Sequence, residues 1–377
     1  MTDAAPLQKT ALNEAHRRLG AKMVDFGGWD MPVEYSGLVA EHMAVRTGVG
    51  LFDVSHMGEI QFRGPGAMAA ISGISMNDPS HLQIGQAHYS ALLTPEGTFV
   101  DDILVHKLSE NDWLLVVNAG TRQKDFDWIK RHVADVHGAN GVHISDYSPH
   151  YSQIAVQGPR AAETLSKLTK TDLAAIKNYW FTWGTVAGVA NTLIARTGYS
   201  GEDGFEIYIP SDVTTSELVW NALLEAGAEF GILPCGLGAR NTLRLEAAMS
   251  LYGHEIDETT NVFEARLGRF CKLDGRKFIG YDALRKIQEA GVTRKLVGLE
   301  MVERGIARDG YPVLSAAGET IGAVTSGSPS PFLKKNIAMA YVPSAVAASG
   351  EDVWVQVRAN RVRAKQVPLP FYRRPKK

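Results

Sequence analysis

The chain has 377 residues, which at roughly 150 residues per domain points to about two or three domains. It carries 39 basic and 41 acidic side chains for a net charge of −2, and 45% of its residues are hydrophobic. That balance excludes a disordered chain and argues against a protein built to grip nucleic acid through a basic face.

The N-terminal segment from Met1 to Gly20 is polar, holds Asp3 and Glu14, and has no apolar signal core. No apolar run reaches the length of about 18 residues that a membrane span needs. Two cysteines, Cys235 and Cys271, are too few for a disulfide framework or a structural zinc site. These features lead us to expect a cytoplasmic protein without a metal.

A first helix is predicted from Thr10 to Arg18, with Thr10 as its N-cap and Gly20 closing it. A second covers Val39 to Arg46 and stops at Gly48. The run Glu59-Ile60-Gln61-Phe62-Arg63 alternates with period two, as a half-buried strand does. Residues 89–118 read as a β-meander of Tyr89 to Leu93, Phe99 to Leu108 and Trp113 to Val117. An amphipathic helix follows from Thr121 to Val136. One internal echo links Ile60 to Pro65, leading into Ala67 to Ile74, with Ile154 to Pro159, leading into Ala161 to Leu168. Both read strand, Gly-Pro, helix, with the proline where a first helical turn tolerates it. A helix-like stretch from Tyr281 to Glu289 precedes a change of texture. Beyond it, Leu296 to Met301, Tyr311 to Leu314, Thr320 to Thr325, Ile337 to Val342 and Val353 to Val357 are short strand-like runs. Strands at this spacing suggest a small barrel or sandwich.

Common chemical motifs are absent or incomplete. Gly236-Leu237-Gly238-Ala239-Arg240 lacks the third glycine of a dinucleotide fingerprint, with Asn241 in its place. It reads better as a helix start whose glycines permit close packing. Asp53-Val54-Ser55-His56 holds triad-type residues too close together to converge, which favours a structural turn. His254-Glu255 has no partner at metal-ligand spacing.

Two segments carry chemistry. Asp101-Asp102 interrupts an otherwise apolar strand, and successive strand residues face opposite sides. At least one carboxyl is therefore expected in an enclosed setting. The pair reads either as a partly exposed edge with a local hydrogen bond or as a functional carboxylate lining a pocket, and alternation alone leaves open which aspartate that is. The loop from Arg196 to Glu206 holds three glycines, Tyr199 and three acids. It reads either as a solvated turn or as a backbone shaped to approach a flat ligand, with Tyr199 stacking and Glu206 pairing with a guanidine-like edge.

These segments resemble the aminomethyltransferase, or T-protein, family of the glycine cleavage system. The resemblance rests on residues 20–32, Leu51 to Gly58, Val100-Asp101-Asp102, Thr197 to Glu206, Gly236 to Ala247, Leu251 to Glu255 and Pro370 to Arg373, in order along nearly the whole chain. It implies an α+β, multidomain cloverleaf around a folate channel. Residues 1–290 would form the folate-binding body, made of two interleaved α+β units, and 291–377 a C-terminal β-barrel. It also implies transfer of a one-carbon unit from the aminomethylated dihydrolipoyl arm of H-protein to tetrahydrofolate, releasing ammonia. Carried over by motif, Asp102 is the catalytic carboxylate, acting near folate N10. Glu206 pairs with the pterin edge, and Met57, Tyr89, Asn118, Tyr199, Arg240 and Tyr372 surround the folate. The chain departs from the family pattern at Asn241, Val262 and Arg266, where aspartate, proline and glycine are usual. A folate-dependent demethylase acting on a small N- or S-methyl compound is the nearest alternative. A folate-binding protein without transferase activity is another, though the region around Cys235 does not match the motif of those relatives.

Overall fold

The computed structural model describes residues 6–375; Asp3 of the polar N-terminal segment lies outside them. Two sheets and a barrel organise the chain. A five-stranded antiparallel sheet runs, edge to edge, through Gln86–Leu93, Phe99–Ser109, Asp112–Val117, Gly58–Arg63 and His143–Asp146. A six-stranded sheet runs through Phe181–Val186, Val189–Ala195, Gly204–Pro210, Tyr151–Gln157, Gly50–Asp53 and Leu233–Pro234. A small antiparallel pair, Lys22–Phe26 and Trp29–Glu34, stands beside them.

Strand alternation sorts side chains into layers. In the five-stranded sheet, Ile103, Val105, Leu115 and Val117 pack against helices Ala67–Ile74 and Arg122–Val133. Their neighbours Leu104 and Val116 point the other way and meet Ala195, Leu193 and Tyr208 of the six-stranded sheet. The outer face of that second sheet is covered by Val219, Trp220 and Leu223 of helix Val213–Ala226. The molecule is thus layered helix, sheet, sheet, helix, and the space between the sheets is where a ligand can enter.

The internal echo corresponds to one strand-to-helix unit in each sheet, Gly58–Arg63 before Ala67–Ile74 and Tyr151–Gln157 before Ala161–Ser166. Gly64 and Gly158 adopt φ of +121° and +134°. A Cβ on Gly64 would sit 2.0 Å from the Gly141 carbonyl oxygen, so glycine is required there for close approach as well as conformation. Pro65 and Pro159 occupy the turn before the helix rather than its first turn.

Other boundaries differ for identifiable reasons. The first helix is Asn13–Arg18, because the Thr10 hydroxyl donates to Asp53 Oδ2 (2.6 Å) instead of capping a helix. The helix predicted to reach Val136 ends at Val133. Gly236 packs its helix start against Trp29–Glu34, where an added Cβ would lie 2.3 Å from the Val33 backbone. The C-terminal region forms a closed six-stranded barrel of Arg294–Met301, Lys335–Pro343, Thr320–Ser330, Pro312–Leu314, Val353–Val357 and Asn360–Val367. The last of these strands was not anticipated, and it is the one that closes the barrel by pairing with both Val353–Val357 and Arg294–Met301. No helix of the described residues is long and apolar enough to cross a membrane.

The barrel is keyed to helix Leu237–Glu246 by buried charge. Arg244 donates to Glu255 (2.6 Å) and to Ser326 of the barrel (2.7 Å), while Thr325 donates to the other Glu255 oxygen (2.7 Å). Glu246 accepts from Arg46 Nε (2.8 Å) and from Ser330, and lies 3.1 Å from His42 Nε2. Glu255 is thereby occupied as a structural counter-charge.

Candidate active site

Between the two sheets lies a cavity of about 430 Å³, within the size range of small-molecule sites. Its position follows from register. Tyr89, Ala91, Asp102 and Leu104 share one face of the paired strands Gln86–Leu93 and Phe99–Ser109. Val116 is opposite Leu104, which brings Asn118, two residues on, to the same rim. Across the gap, Glu206 stands opposite Ala155 and Ala195, and Gln153 opposite Tyr208.

Asp102, Met57, Tyr89, Asn118, Tyr199, Glu206 and Arg240 all line this cavity. Tyr372 does not. Its amide donates to the Glu246 carbonyl (2.8 Å) and the Arg46 guanidinium lies over its ring at 4.0 Å, so it is committed to the junction with the barrel. The cavity also takes in His56, Gln153, Tyr179, Arg269 and Phe270, which sequence reasoning did not select. Within the turn at residues 53–56, Asp53 is indeed structural, accepting from Thr10, His16 and the Ser55 amide. His56, however, turns into the cavity wall. Gln153 directly precedes the apolar run Ile154 to Val156, and like the others it carries no signal in isolation.

The two aspartates separate by strand alternation. Asp102 faces the cavity, whereas Asp101 is fully buried on the helix-facing side. Asn118 Nδ2 bridges them, 2.8 Å from one oxygen of each. Asp101 also accepts from the Asn118 amide (3.0 Å) and the Thr121 hydroxyl (2.9 Å), and Asp102 accepts from the Tyr89 hydroxyl (3.1 Å). Burial, followed by the charge of Asp101, pushes the Asp102 carboxyl up to about 7, against the downward pull of the Asn118 and Tyr89 hydrogen bonds. A carboxyl poised near neutrality is suited to accept and return a proton.

The opposite wall has the character of a recognition surface. Burial raises the Glu206 carboxyl, and it accepts from the Thr197 hydroxyl. Gln153 Oε1 and His56 Nδ1 are buried with no hydrogen-bond partner among the described residues. Burial and the nearby Arg240 hold the His56 ring neutral, down at about 4. The Arg240 guanidinium lies 4.6 Å from the Tyr199 ring centroid, and the Tyr199 hydroxyl donates to the Ser250 carbonyl. Tyr199 is therefore fixed from both ends. A flat heterocycle with adjacent N–H donors fits this wall, since it would engage the Glu206 carboxylate and the unpaired Gln153 oxygen together.

The departures from the family pattern have local consequences. Asn241 Oδ1 accepts from Arg244 Nε (2.9 Å), so that bond lacks the charge an aspartate would give it. Val262 is fully buried in the core beside Phe99 and Ile256. Arg266 adopts φ of +61°, a left-handed conformation that glycine takes without strain.

Comparison with known proteins follows the same outline. Residues 12–275 match the model of the GCVT N-terminal domain, and residues 294–373 that of the glycine cleavage T-protein C-terminal barrel domain. An aminomethyltransferase of Acidobacterium capsulatum is 67% identical over 380 residues, covering 100% of both chains. One of Koribacter versatilis is 58% identical over 99% of this chain and 98% of its own. The crystal structure of glycine cleavage system aminomethyltransferase T from Bartonella henselae superposes with a TM-score of 0.89 at 32% identity, covering 97% of this chain and 98% of that one. With matched domains, full-length relatives and a shared architecture in agreement, this chain belongs to the aminomethyltransferase (T-protein) family of the glycine cleavage system.

Proposed function

We propose that this chain transfers the one-carbon unit of an aminomethyl group, carried on the dihydrolipoyl arm of H-protein, to tetrahydrofolate, with release of ammonia. The observation that carries the reading is that Asp102 and Glu206 line one cavity from opposite sheets. Tetrahydrofolate supplies the pair of nitrogens that receives the carbon to give 5,10-methylenetetrahydrofolate.

In this reading Glu206 and Gln153 grip the N–H edge of the pterin, a charge-assisted arrangement in which two donors meet one carboxylate. Tyr199, held by Arg240 and Ser250, and Tyr89, held by Asp102, bracket the ligand. Met57 and Leu104 supply apolar wall, and Arg240 and Arg269 supply the local positive charge that an anionic folate needs. As the two folate nitrogens bond the carbon, its bonds to the amine and to the lipoyl sulfur break. Asp102 accepts one of the two released N–H protons at its carboxylate and returns it to the departing amine, and the other goes to the sulfur. Asn118 keeps that carboxyl turned toward the cavity. Tyr372 serves the junction instead, and the body and barrel divide near residue 290. A cytoplasmic setting suits a partner that carries a lipoyl arm.

The direct test is turnover with lipoylated, aminomethylated H-protein and tetrahydrofolate. Asp102→Asn is expected to lose about 10²–10⁴-fold in transfer rate while folate binding is largely kept. Unchanged turnover in that variant removes the role of Asp102. Conversion of folate only with a free N- or S-methyl donor replaces the aminomethyl reading with the demethylase one.

A further inference from the structure

On the side of strand Phe99–Ser109 that faces away from the cavity, Asp101 meets the start of helix Arg122–Val133. Thr121, whose hydroxyl donates to Asp101 (2.9 Å), accepts at its carbonyl the amide of Asp125 (2.8 Å), an acid on the buried face of that helix. Asp101 and Asp125 are both fully buried. Three carboxyl groups thus lie together, and the supply of hydrogen-bond donors is unequal. Asn118 and Thr121 provide three donors to Asp101, while Asn118 and Tyr89 provide two to Asp102. Asp125 receives none: neither of its oxygens has a partner among the described residues. An ionised carboxylate in such a place is costly, because both oxygens would be stripped of water with nothing in return. A protonated carboxyl removes that cost and supplies one more donor, directed at the neighbour it touches.

We infer that Asp125 is a positioning residue whose protonated carboxyl donates to Asp101, so that Asp101 keeps the fixed negative charge and Asp102 is left to exchange protons with the cavity. The inference rests on the catalytic reading of Asp102 and adds the device that sets which aspartate titrates. Its consequence is a division of labour along one strand. Asp101, held on its buried side by Asn118 and Thr121, is the charge that raises the proton affinity of Asp102.

The other charged and titratable groups around the cluster are consistent with this arrangement. Lys124, on the same helix, directs its ammonium to the Val100 carbonyl (2.8 Å), the Tyr252 hydroxyl (2.8 Å) and Glu258 (3.2 Å), at the partly exposed edge. Tyr89 donates to Asp102 from the neighbouring strand, and Tyr199 faces Asp102 from the opposite wall. Among the described residues, then, no cation forms a hydrogen bond or ion pair with Asp101, Asp102 or Asp125. Burial and the adjacent Asp101 push the Asp125 carboxyl up to about 10, in the same direction as the geometry.

Infrared difference spectroscopy on the intact chain at about pH 8, where an ordinary aspartate is ionised, tests the proton directly. Because Glu59 is also buried with both oxygens unpartnered among the described residues, the readout is the difference between variants. A protonated-carboxyl C=O component present in the wild type and in Asp102→Asn is expected to be missing from Asp125→Asn. Absence of that difference overturns the inference whatever Asp102 does, and full activity of Asp102→Asn defeats the catalytic reading while leaving the difference to decide Asp125. Kinetics supply a second readout. Asp125→Ala removes a donor from Asp101 and is expected to lower kcat about tenfold and move the acidic limb of the kcat profile upward. Asp125→Asn, an uncharged N–H donor of the same shape, is expected to restore kcat to within about threefold with the limb in its wild-type place. A downward shift of the limb by about one unit in Asp125→Asn means that an ionised group was removed, and also overturns the inference. Should Asp125→Ala fail to fold, the asparagine variant and the infrared band carry the test.

Discussion

Two clusters of buried carboxyl groups lie in this molecule and are built in opposite ways. At the junction with the barrel, Glu246 and Glu255 are wrapped by Arg46, Arg244 and His42, with Ser326, Ser330 and Thr325 completing the bonds. At and behind the cavity wall, among the described residues, Asp101 and Asp102 accept only from neutral donors and Asp125 from none. Cation-paired burial holds a carboxylate ionised and makes it a fastener. Cation-free burial raises proton affinity and makes a carboxyl a proton carrier. The cavity cluster is chemically useful because it lacks the counter-charges that would stabilise its ionised form.

Four outcomes would break or sharpen that contrast. The largest is the loss of transfer in Asp102→Asn, read by turnover, since it removes the proton carrier without disturbing the junction. Next is Arg244→Met, which leaves Glu255 buried without its cation. A loss of about 3–5 kcal/mol is expected, measured by denaturant unfolding, with Asp102→Asn showing no comparable loss. Equal destabilisation by the two variants would erase the distinction between fastener and carrier.

The third outcome is a difference in pH dependence. Burial alone would raise the Glu246 carboxyl, but the hydrogen bond and charge of His42, with Ser330 and Arg46, bring it below its ordinary value. Stability from that group is present above the unfolded-state value and is lost as pH falls through the folded one. Asp102, raised to about 7, behaves oppositely: its contribution is fully present below the unfolded value of about 4 and is lost as pH rises toward about 7. Melting temperatures should therefore fall on acidification through the junction and on alkalinisation through the cavity. Asp102→Asn is expected to weaken only the second trend, to which Asp125, pushed up to about 10, also contributes. The transfer rate should rise with pH across the region near 7 as Asp102 ionises.

The smallest outcome concerns Arg266, whose left-handed backbone costs on the order of 1 kcal/mol relative to glycine. Arg266→Gly is expected to stabilise the chain by about that amount, read from the unfolding midpoint, with no change in turnover.

Much of this organisation is legible along the chain. Period-two alternation marks the meander from Tyr89 to Val117, and Gly-Pro punctuation marks the two strand-to-helix units, because these signals are local. The sixth barrel strand, Asn360–Val367, is hidden by its composition. Its inward residues Val362 and Ala364 are small and alternate with Arg361, Arg363 and Lys365, so only two flanking strands reveal it. His56, Tyr179 and Arg269 escape for a related reason: a side chain's presence in a cavity depends on elements distant in sequence. Tyr372 shows the converse, a motif residue that the fold commits to Arg46 and the barrel junction.

The sequence by itself determined the alternating strands, the helix limits to within a few residues, the family pattern and the presence of two adjacent acids in an apolar strand. Tertiary structure decided which acid faces the cavity, which is packed against a helix, and that a third acid is buried on that helix. The physical reason is that proton affinity is set by what surrounds a carboxyl in space. For Asp101 and Asp102 those surroundings are supplied by Tyr89, Asn118, Thr121 and Asp125, brought together by sheet register and by the packing of one helix.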